Sequence, residues 1–201
     1  MGQKGDMLRQ RIVAAADELF YQQGYEHTSF SDIADAVGIS RGNFYYHFKC
    51  KDEILNVVIE TRIAEIETML YEWNSKYPNP KQRILHYIDI LTNNQDNIKN
   101  HGCPIGSLCT ELVKLRHVML QDANKMLAVI RDWLTEQLKE LGLGRDAKQV
   151  AMHLLARAQG IATITSAFED KAFLSQEVKR LKQWLDEVTA VSADHRIVKK
   201  K

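Results

Sequence analysis

The stretch GISRGNFYYHFKCKDE, residues 38–53, carries the side chains of this sequence that are best suited to bind a polyanion. It contains four aromatic rings, one histidine and the cations Arg41, Lys49 and Lys51, and residues 36–51 include no acidic side chain. Hydroxyl, imidazole and cationic donors bind phosphate oxygens, and arginine or asparagine can also contact base edges in a major groove. The stretch therefore predicts a surface that contacts nucleic acid.

Two short helices joined by a glycine turn are expected to hold this surface. Thr28 and Ser29 offer capping hydroxyls to the helix FSDIADAV, and Gly38 ends that helix. Ser40 then caps a further helix, RGNFYYHF. This order is the helix-turn-helix pattern, in which the second short helix enters the major groove of DNA.

The same residue types allow a plainer interpretation, in which the rings form a small aromatic core and the lysines are ordinary surface residues. Phe44 and Phe48 are four residues apart and share one helix face, which we assign to the core. The polar side chains of this helix lie on its other faces: Arg41, Asn43, Tyr45, Tyr46 and His47. The helix-turn-helix spacing upstream favours DNA binding over the plainer interpretation.

The segment TSFSDIADAVGISRGNFYYHFKCKDEIL resembles the N-terminal signature of the TetR family of transcriptional regulators. The matching residues are Thr28, Ile33, Ala34, Gly38, Ile39, Ser40, Gly42, Phe44, Tyr45, His47, Phe48, Lys51 and Ile54. Ile39 and Ile54 are small departures from the usual valine and leucine. Cys50 is a larger departure, because serine or asparagine is common at its position. The match covers the first quarter of the chain, and the overall length agrees with the family for the remainder.

The resemblance implies a homodimer that binds a palindromic operator in double-stranded DNA. It implies phosphate contacts by Thr28, Ser29, Tyr45, His47 and Lys51. It implies base or near-base contacts by Ser31, Arg41, Asn43 and Tyr46. Gly42, which lets backbone approach backbone, is counted with these DNA-binding residues.

Composition and patterning limit the remaining classes of protein. The 201 residues are 45% hydrophobic with a formal net charge of +1, so any DNA-binding surface must be a local patch. Three cysteines without framework spacing, a polar N-terminal segment and the lack of a long apolar run predict a cytoplasmic protein without membrane contact. No pattern indicates an enzyme or a cofactor. A helical small-molecule-binding or interaction protein without DNA binding is the alternative.

Helical periodicity recurs along the whole chain, and strand-like alternation is absent. The pattern predicts an all-α fold of about nine helices. Residues 1–51 are expected to form a three-helix helix-turn-helix domain, and residues 52–201 a larger helical bundle for ligand binding and dimerisation. A long fourth helix, about 51–76, connects the two parts.

Five helices are predicted after the long one: about 81–97, a sixth beginning at Pro104, and then about 121–141, 146–168 and 175–191. The eighth and ninth carry apolar stripes that can form intrachain core, a dimer interface or both. The resemblance favours a homodimer through these two helices, with each subunit contributing both.

The effector implied by the resemblance is a small molecule of unknown identity. Polar or aromatic residues that interrupt the apolar stripes of the fourth to eighth predicted helices are the pocket candidates. They are Trp73, Tyr87, Asn94, Cys109, Met126, Trp133, Gln159 and Thr163. For each of them, ordinary packing in the core or on the surface is the alternative interpretation.

Cys103 stands directly before Pro104, in the stretch NHGCPIGSLCTEL. A thiol at a helix N-terminus is activated by the free N–H groups there. The G-C-P-x-G-x-L-x-x-E-L pattern also resembles a subset of the TetR family, some of whose members respond to electrophiles or oxidants while others bind aromatic drugs or flavonoids. We therefore hypothesise that Cys103 is a redox or electrophile switch, with an inert capping cysteine as the alternative. The neighbouring His101, Cys109 and Glu111 do not complete a standard zinc spacing, so no metal site is predicted.

Overall fold

The structure, a computed structural model, describes the backbone of residues 3–198 and the side chains of residues 5–190. These residues form helices and connecting turns, and no strand occurs among them. The helices are α1 (Gln3–Gln23), α2 (Phe30–Val37), α3 (Arg41–His47), α4 (Lys51–Lys76), α5 (Pro80–Asn93), α6 (Gln95–His101), α7 (Pro104–Lys114), α8 (Leu120–Glu140), a 3-10 turn (Gly144–Asp146), α9 (Ala147–Phe168) and α10 (Lys171–Val198). The predicted all-α fold class is confirmed.

The fifth predicted helix, about 81–97, is divided at Asn94 in the structure. The Asn94 side chain donates to the Ile90 carbonyl at 3.0 Å, and its own N–H bonds to the same oxygen. Asparagine competes in this way with regular helical bonding, so α5 ends at Asn93 and α6 begins at Gln95. The last helix also differs from its prediction. It starts at Lys171 rather than 175, because the Asp170 carboxylate caps the Phe173 N–H at 2.9 Å.

One compact unit contains the described residues up to Glu65 together with Pro104–Met126. It holds α1 to α3, the first part of α4, α7 and the beginning of α8. Its core includes Ile12, Ala16, Ile33, Ala34, Phe44, Phe48, Ile54, Leu55, Val58 and Leu112. The predicted domain boundary near Lys51 falls inside this unit.

A buried arginine joins three helices of the first unit. Arg62 on α4 is 8% exposed; its Nε donates to Asp17 Oδ1 of α1 at 2.6 Å, and its Nη1 to the Pro104 carbonyl at 2.9 Å. Burial raises the pKa of Asp17, and the Arg62 guanidinium opposes that shift. The first turn of α7 is thereby fixed to α4.

The second compact unit comprises Ile66–Cys103 and the described residues from Leu127 onward. Within it α10 packs against α5 and α9, and α6 packs against α9. Its packed residues include both predicted stripes: Ala151, Leu154, Leu155, Ala158, Ile161 and Ala162 on α9, and Leu174, Val178, Leu181 and Leu185 on α10. Over the described part of the chain, every helix is too short or too polar to traverse a bilayer.

Candidate nucleic-acid interface

Local capping fixes the beginning and the end of α2. The Ser29 hydroxyl accepts from the Asp32 N–H at 3.2 Å, and the Asp32 carboxylate accepts from the Ser29 N–H at 2.7 Å. This reciprocal pair is a capping box, and the bond from the Ser29 N–H lowers the pKa of Asp32. Gly38 ends the helix at φ +73°, in the left-handed region that glycine adopts without strain. Ser29 itself is exposed at the helix N-terminus.

Helix α3 separates a buried aromatic pair from an exposed polar face. The Ser40 hydroxyl accepts from the Asn43 N–H at 3.3 Å, so Ser40 is the N-cap that the sequence predicted. Phe44 and Phe48 are each 1% exposed, which confirms the face assigned to the core. The exposed residues of the helix are Arg41, Gly42, Asn43, Tyr45 and Tyr46, with His47 half-buried beside them. The aromatic-core interpretation therefore holds for the phenylalanines alone.

The two tyrosines are the most exposed rings of this surface. Tyr45 is 47% exposed and Tyr46 is 68% exposed. The Tyr45 ring rests edge-on against Phe30 of α2, with centroids 5.4 Å apart, while Tyr46 lies 5.3 Å from the His47 ring. These contacts orient the two rings, most of whose surface stays exposed for Tyr46 and about half for Tyr45.

An open groove runs beside the N-terminus of α2. It is lined by Glu26, His27, Thr28, Ser29, Phe30, Lys49, Cys50 and Lys51. The Lys49 amine lies near this groove and donates to the Tyr45 carbonyl at 2.5 Å. The groove thus combines a helix N-terminus with lysine side chains, which is an arrangement that attracts phosphate. Ser31 is half-buried in the first turn of α2, close to this groove.

Thr28 and Lys51 contribute to the turn between α1 and α2. Thr28 is 1% exposed and its hydroxyl donates to the Gly24 carbonyl at 2.7 Å. The Lys51 ammonium donates to the carbonyls of Tyr25 (2.8 Å), Glu26 (3.2 Å) and Thr28 (3.1 Å). All three of its protons have acceptors within the protein. The phosphate contacts of both residues stay predictions.

The start of α4 is capped by a carboxylate of its own first turn. The Glu53 carboxylate accepts from the Lys49 N–H at 2.7 Å, one residue before Cys50. Cys50 is exposed and lies in the groove beside α2. Sequence reasoning also missed Glu111 of α7, whose carboxylate accepts from the N–H groups of Tyr25 and Glu26. Its one visible signal was the glutamate of the G-C-P-x-G-x-L-x-x-E-L pattern.

The pocket candidates do not all belong to one unit. Cys109 and Met126 are buried in the first unit. The others are in the second unit: Trp73, Tyr87, Asn94, Trp133, Gln159 and Thr163. Asn94 and Thr163 are exposed, and Thr163 donates to the Gln159 carbonyl of its own helix. Their assignment to a ligand pocket, like that of the other candidates, stays a prediction.

Two aromatic groups of the second unit have distinctive surroundings. The rings of Trp73 and Trp133 are 5.9 Å apart, and the Trp133 indole donates to Asn74 at 3.0 Å. Tyr87 is buried, and its pKa is raised by burial and, to a smaller extent, by the Cys103 sulfur. Cys103 is half-buried. Across the described residues, no group of three or more histidine, cysteine or acidic side chains is arranged to hold a metal ion.

Comparison with known proteins shows which family this chain belongs to. Residues 12–58 match the sequence model described as bacterial regulatory proteins, tetR family. The probable HTH-type transcriptional regulator ArpR of Pseudomonas putida is 36% identical over 194 residues, which cover 89% of this chain and 88% of ArpR. The chain belongs to the TetR family. It is a helix-turn-helix transcriptional regulator, and α2 and α3 lie within the matched segment.

Similarity to other transcriptional regulators extends over nearly the whole chain. The HTH-type transcriptional repressor DhaR of a Mycobacterium species is 23% identical over 185 residues, covering 92% of this chain and 89% of DhaR. A crystal structure of a TetR transcriptional regulator from Legionella pneumophila superposes with a TM-score of 0.78 at 25% identity. The superposition covers 91% of this chain and 97% of the Legionella chain. The TetR fold therefore includes the helices beyond α4.

Proposed function

We propose that this TetR-family regulator is a repressor that binds a palindromic operator as a homodimer and leaves it when a small molecule binds. The observation that carries the proposal is the division of α3. Phe44 of the helix and its C-cap residue Phe48 are buried. Arg41, Asn43 and Tyr46 are exposed to solvent. A short helix with this division, preceded by a capped helix and a tight turn, suits the major groove.

The proposed contacts follow the exposure of each side chain. Ser31, Arg41, Asn43 and Tyr46 are assigned to base or near-base contacts, and Gly42 to close approach of the backbone. Ser29, Tyr45 and His47 are assigned to phosphates. A phosphate bond from Lys51 requires the ammonium to exchange one of its three carbonyl partners, and one from Thr28 requires its buried hydroxyl to leave the Gly24 carbonyl.

The proposed dimer uses α9 and α10. Besides its buried stripe, α9 has a second row at spacing four: Met152, Ala156, Gly160, Ile164 and Phe168. All five are exposed, and Phe168 is 76% exposed. The small residues at the centre allow another helix to approach closely, and a Cβ added at Gly160 would meet nothing within 4 Å. A second copy of this chain would cover the row. Light scattering tests this: Ile164→Lys should shift the dimer to monomer.

The proposed effector is a small molecule, and Trp73, Tyr87, Trp133 and Gln159 are the retained pocket residues of the second unit. Half-buried Trp73 and Trp133 give a direct signal, because a ligand near them changes their fluorescence. A compound that releases the operator should also change this fluorescence. Trp133→Phe should weaken both effects if the ligand binds there.

Cys103 is proposed as a redox or electrophile switch, and its modification should weaken operator binding. The exposed Cys50 lies in the groove beside α2, so its modification could also disturb DNA binding. The test therefore uses Cys50→Ser protein treated with N-ethylmaleimide, with modification followed by mass spectrometry. Cys50→Ser/Cys103→Ser protein is the control. Unchanged operator affinity with Cys103 fully modified would end this idea.

A gel shift with the DNA that flanks the protein's own gene tests the proposed function. Wild-type protein should bind a discrete site, and Arg41→Ala/Asn43→Ala protein should lose preference for that site over unrelated DNA. Each lost base contact is worth about 1–3 kcal/mol. Equal binding of both proteins to every sequence would contradict the assignment of α3. No binding at all would favour the helical ligand-binding protein without DNA binding.

A further inference from the structure

The turn between α1 and α2 is held by a carboxylate from a distant part of the chain. Glu111 Oε2 accepts from the Tyr25 N–H at 2.9 Å, and Glu111 Oε1 accepts from the Glu26 N–H at 2.8 Å. Both oxygens bind adjacent backbone donors of one turn. We call this pair of bonds the Glu111 clamp. Charged acceptors make stronger hydrogen bonds than neutral ones, so the clamp fixes the turn more firmly than neutral side chains would.

Gly24 leaves the space that the clamp occupies. Its φ is +91°, and a Cβ added there would lie 3.0 Å from Glu111 Oε1. Any other residue would face both the strained backbone angle and the carboxylate. The glycine that ends α1 therefore also admits Glu111 to the two N–H groups beyond it.

The side chain between the clamped N–H groups is fixed as well. Tyr25 is 3% exposed, its hydroxyl donates to Asp52 at the start of α4, and its ring lies 5.2 Å from that of His117. The Met119 N–H donates to His117 Nδ1 at 3.2 Å, and His117 Nε2 lies 3.4 Å from Asp52 Oδ1. Residues of α7, of the segment after it and of α4 thus surround the turn.

The clamp lies close to the proposed DNA-binding surface. Glu26 is three residues before Ser29, the N-cap of α2 and a proposed phosphate contact. The other end of α7 is fixed by the bond from Arg62 to the Pro104 carbonyl. Helix α7 is therefore held at its beginning by α4, and through Glu111 it holds the turn that leads into α2.

We propose that Glu111 is a positioning residue for DNA binding, which acts through the α1–α2 turn to hold the N-terminus of α2 where the α2–α3 surface can meet the operator. The proposal rests on the proposed function. Without the clamp, the turn is held less firmly in the free protein, and the ordering that is lost must occur on binding, which weakens the affinity.

The operator dissociation constant of Glu111→Ala should rise by about tenfold, because two charge-assisted bonds no longer order the turn in the free protein. The slope of log Kd against log salt should stay at the wild-type value, because no phosphate contact is removed. Glu111→Gln keeps one acceptor oxygen and should give an intermediate Kd. Asp89→Ala is the matched control. It removes a half-exposed carboxylate, bonded to Lys182 in the second unit, and should leave Kd within about twofold.

Hydrogen exchange on the free protein gives a reading that does not depend on DNA. In Glu111→Ala the amides of Tyr25 and Glu26, and those of α2 and α3, should exchange faster, while amides in the middle of α1 keep their rates. If Glu111→Ala does not fold, the operator Kd and the hydrogen exchange are measured on Glu111→Gln instead.

The outcomes separate this proposal from the proposed function. If the wild-type protein binds the operator and Glu111→Ala binds it with the same Kd, the positioning role is overturned and the proposed function is left intact. Faster exchange along the whole of α1 would show a general structural role and would also overturn it. If wild-type protein binds no operator, the proposed function fails. The amide hydrogen-exchange rates of α2 and α3 in Glu111→Ala, compared with wild type, then decide whether the clamp positions these helices.

Discussion

Replacing Lys51 by methionine tests whether its ammonium holds the turn between α1 and α2. Methionine keeps an unbranched apolar stem and removes the charge. The carbonyls of Tyr25, Glu26 and Thr28 then lose their donor, and the cation that lies 4.3 Å above the Tyr25 ring is removed. We expect the first compact unit to lose stability.

The magnitude follows from the surroundings of each bond. The bonds to Tyr25 and Thr28 are partly buried and contribute about 1 kcal/mol each after competition with water, whereas the exposed bond to Glu26 adds little. The cation–π contact at a partly exposed site adds about 0.5 kcal/mol. The sum is about 2–3 kcal/mol. For a chain of this size it lowers the melting temperature by roughly 4–12 °C.

Lys49→Met is the matched control, since the Lys49 amine makes one exposed bond to a carbonyl four residues earlier. Both variants are melted at the same protein concentration, because dimerisation makes the melting temperature depend on concentration. Lys51→Met should melt several degrees below Lys49→Met. Equal melting temperatures would refute the anchoring role. In that case a fall of the salt slope in Lys51→Met alone would favour the phosphate contact that the sequence predicted.

Three further substitutions have distinct expected results. Gly42→Ala places a Cβ where nothing lies within 4 Å, so thermal melting should show unchanged or slightly higher stability, by up to about 1 kcal/mol, while a gel shift shows weaker operator binding. Asp32→Asn replaces the charged acceptor of the Ser29 N–H in the capping box by a neutral amide oxygen. Because the folded pKa of Asp32 is lowered, wild type should be the more stable at neutral pH, and the difference should shrink in urea titrations as the pH falls below about 4. Thr165→Val removes a buried hydroxyl without a partner among the described residues and should leave stability in urea unchanged or raise it by about 1 kcal/mol.

Local features of the DNA-binding surface could be predicted because each depends on residues close together in sequence. The caps by Ser29 and Ser40 need only their own first turns, and the burial of Phe44 and Phe48 follows from their spacing. The beginning of α7 at Pro104 was predictable for the same reason, since proline fits the first turn of a helix.

Contacts between distant segments could not be predicted from one sequence. Nothing near Glu111 indicates that its carboxylate meets the N–H groups of Tyr25 and Glu26, more than 80 residues earlier. Lys51 has the appearance of a phosphate ligand because lysine is cationic, and only the folded turn shows three carbonyls around it. The break at Asn94 was missed because asparagine also occurs within helices, and its bond to Ile90 is a matter of geometry.

A hydroxyl-radical footprint on the DNA upstream of the protein's own gene tests the central claim most directly. If α3 of each subunit enters a major groove, two protected patches related by a dyad should lie about one helical turn apart. Both patches should fade in the Arg41→Ala/Asn43→Ala protein. Uniform protection without discrete patches, or patches unaffected by this double substitution, would contradict the account.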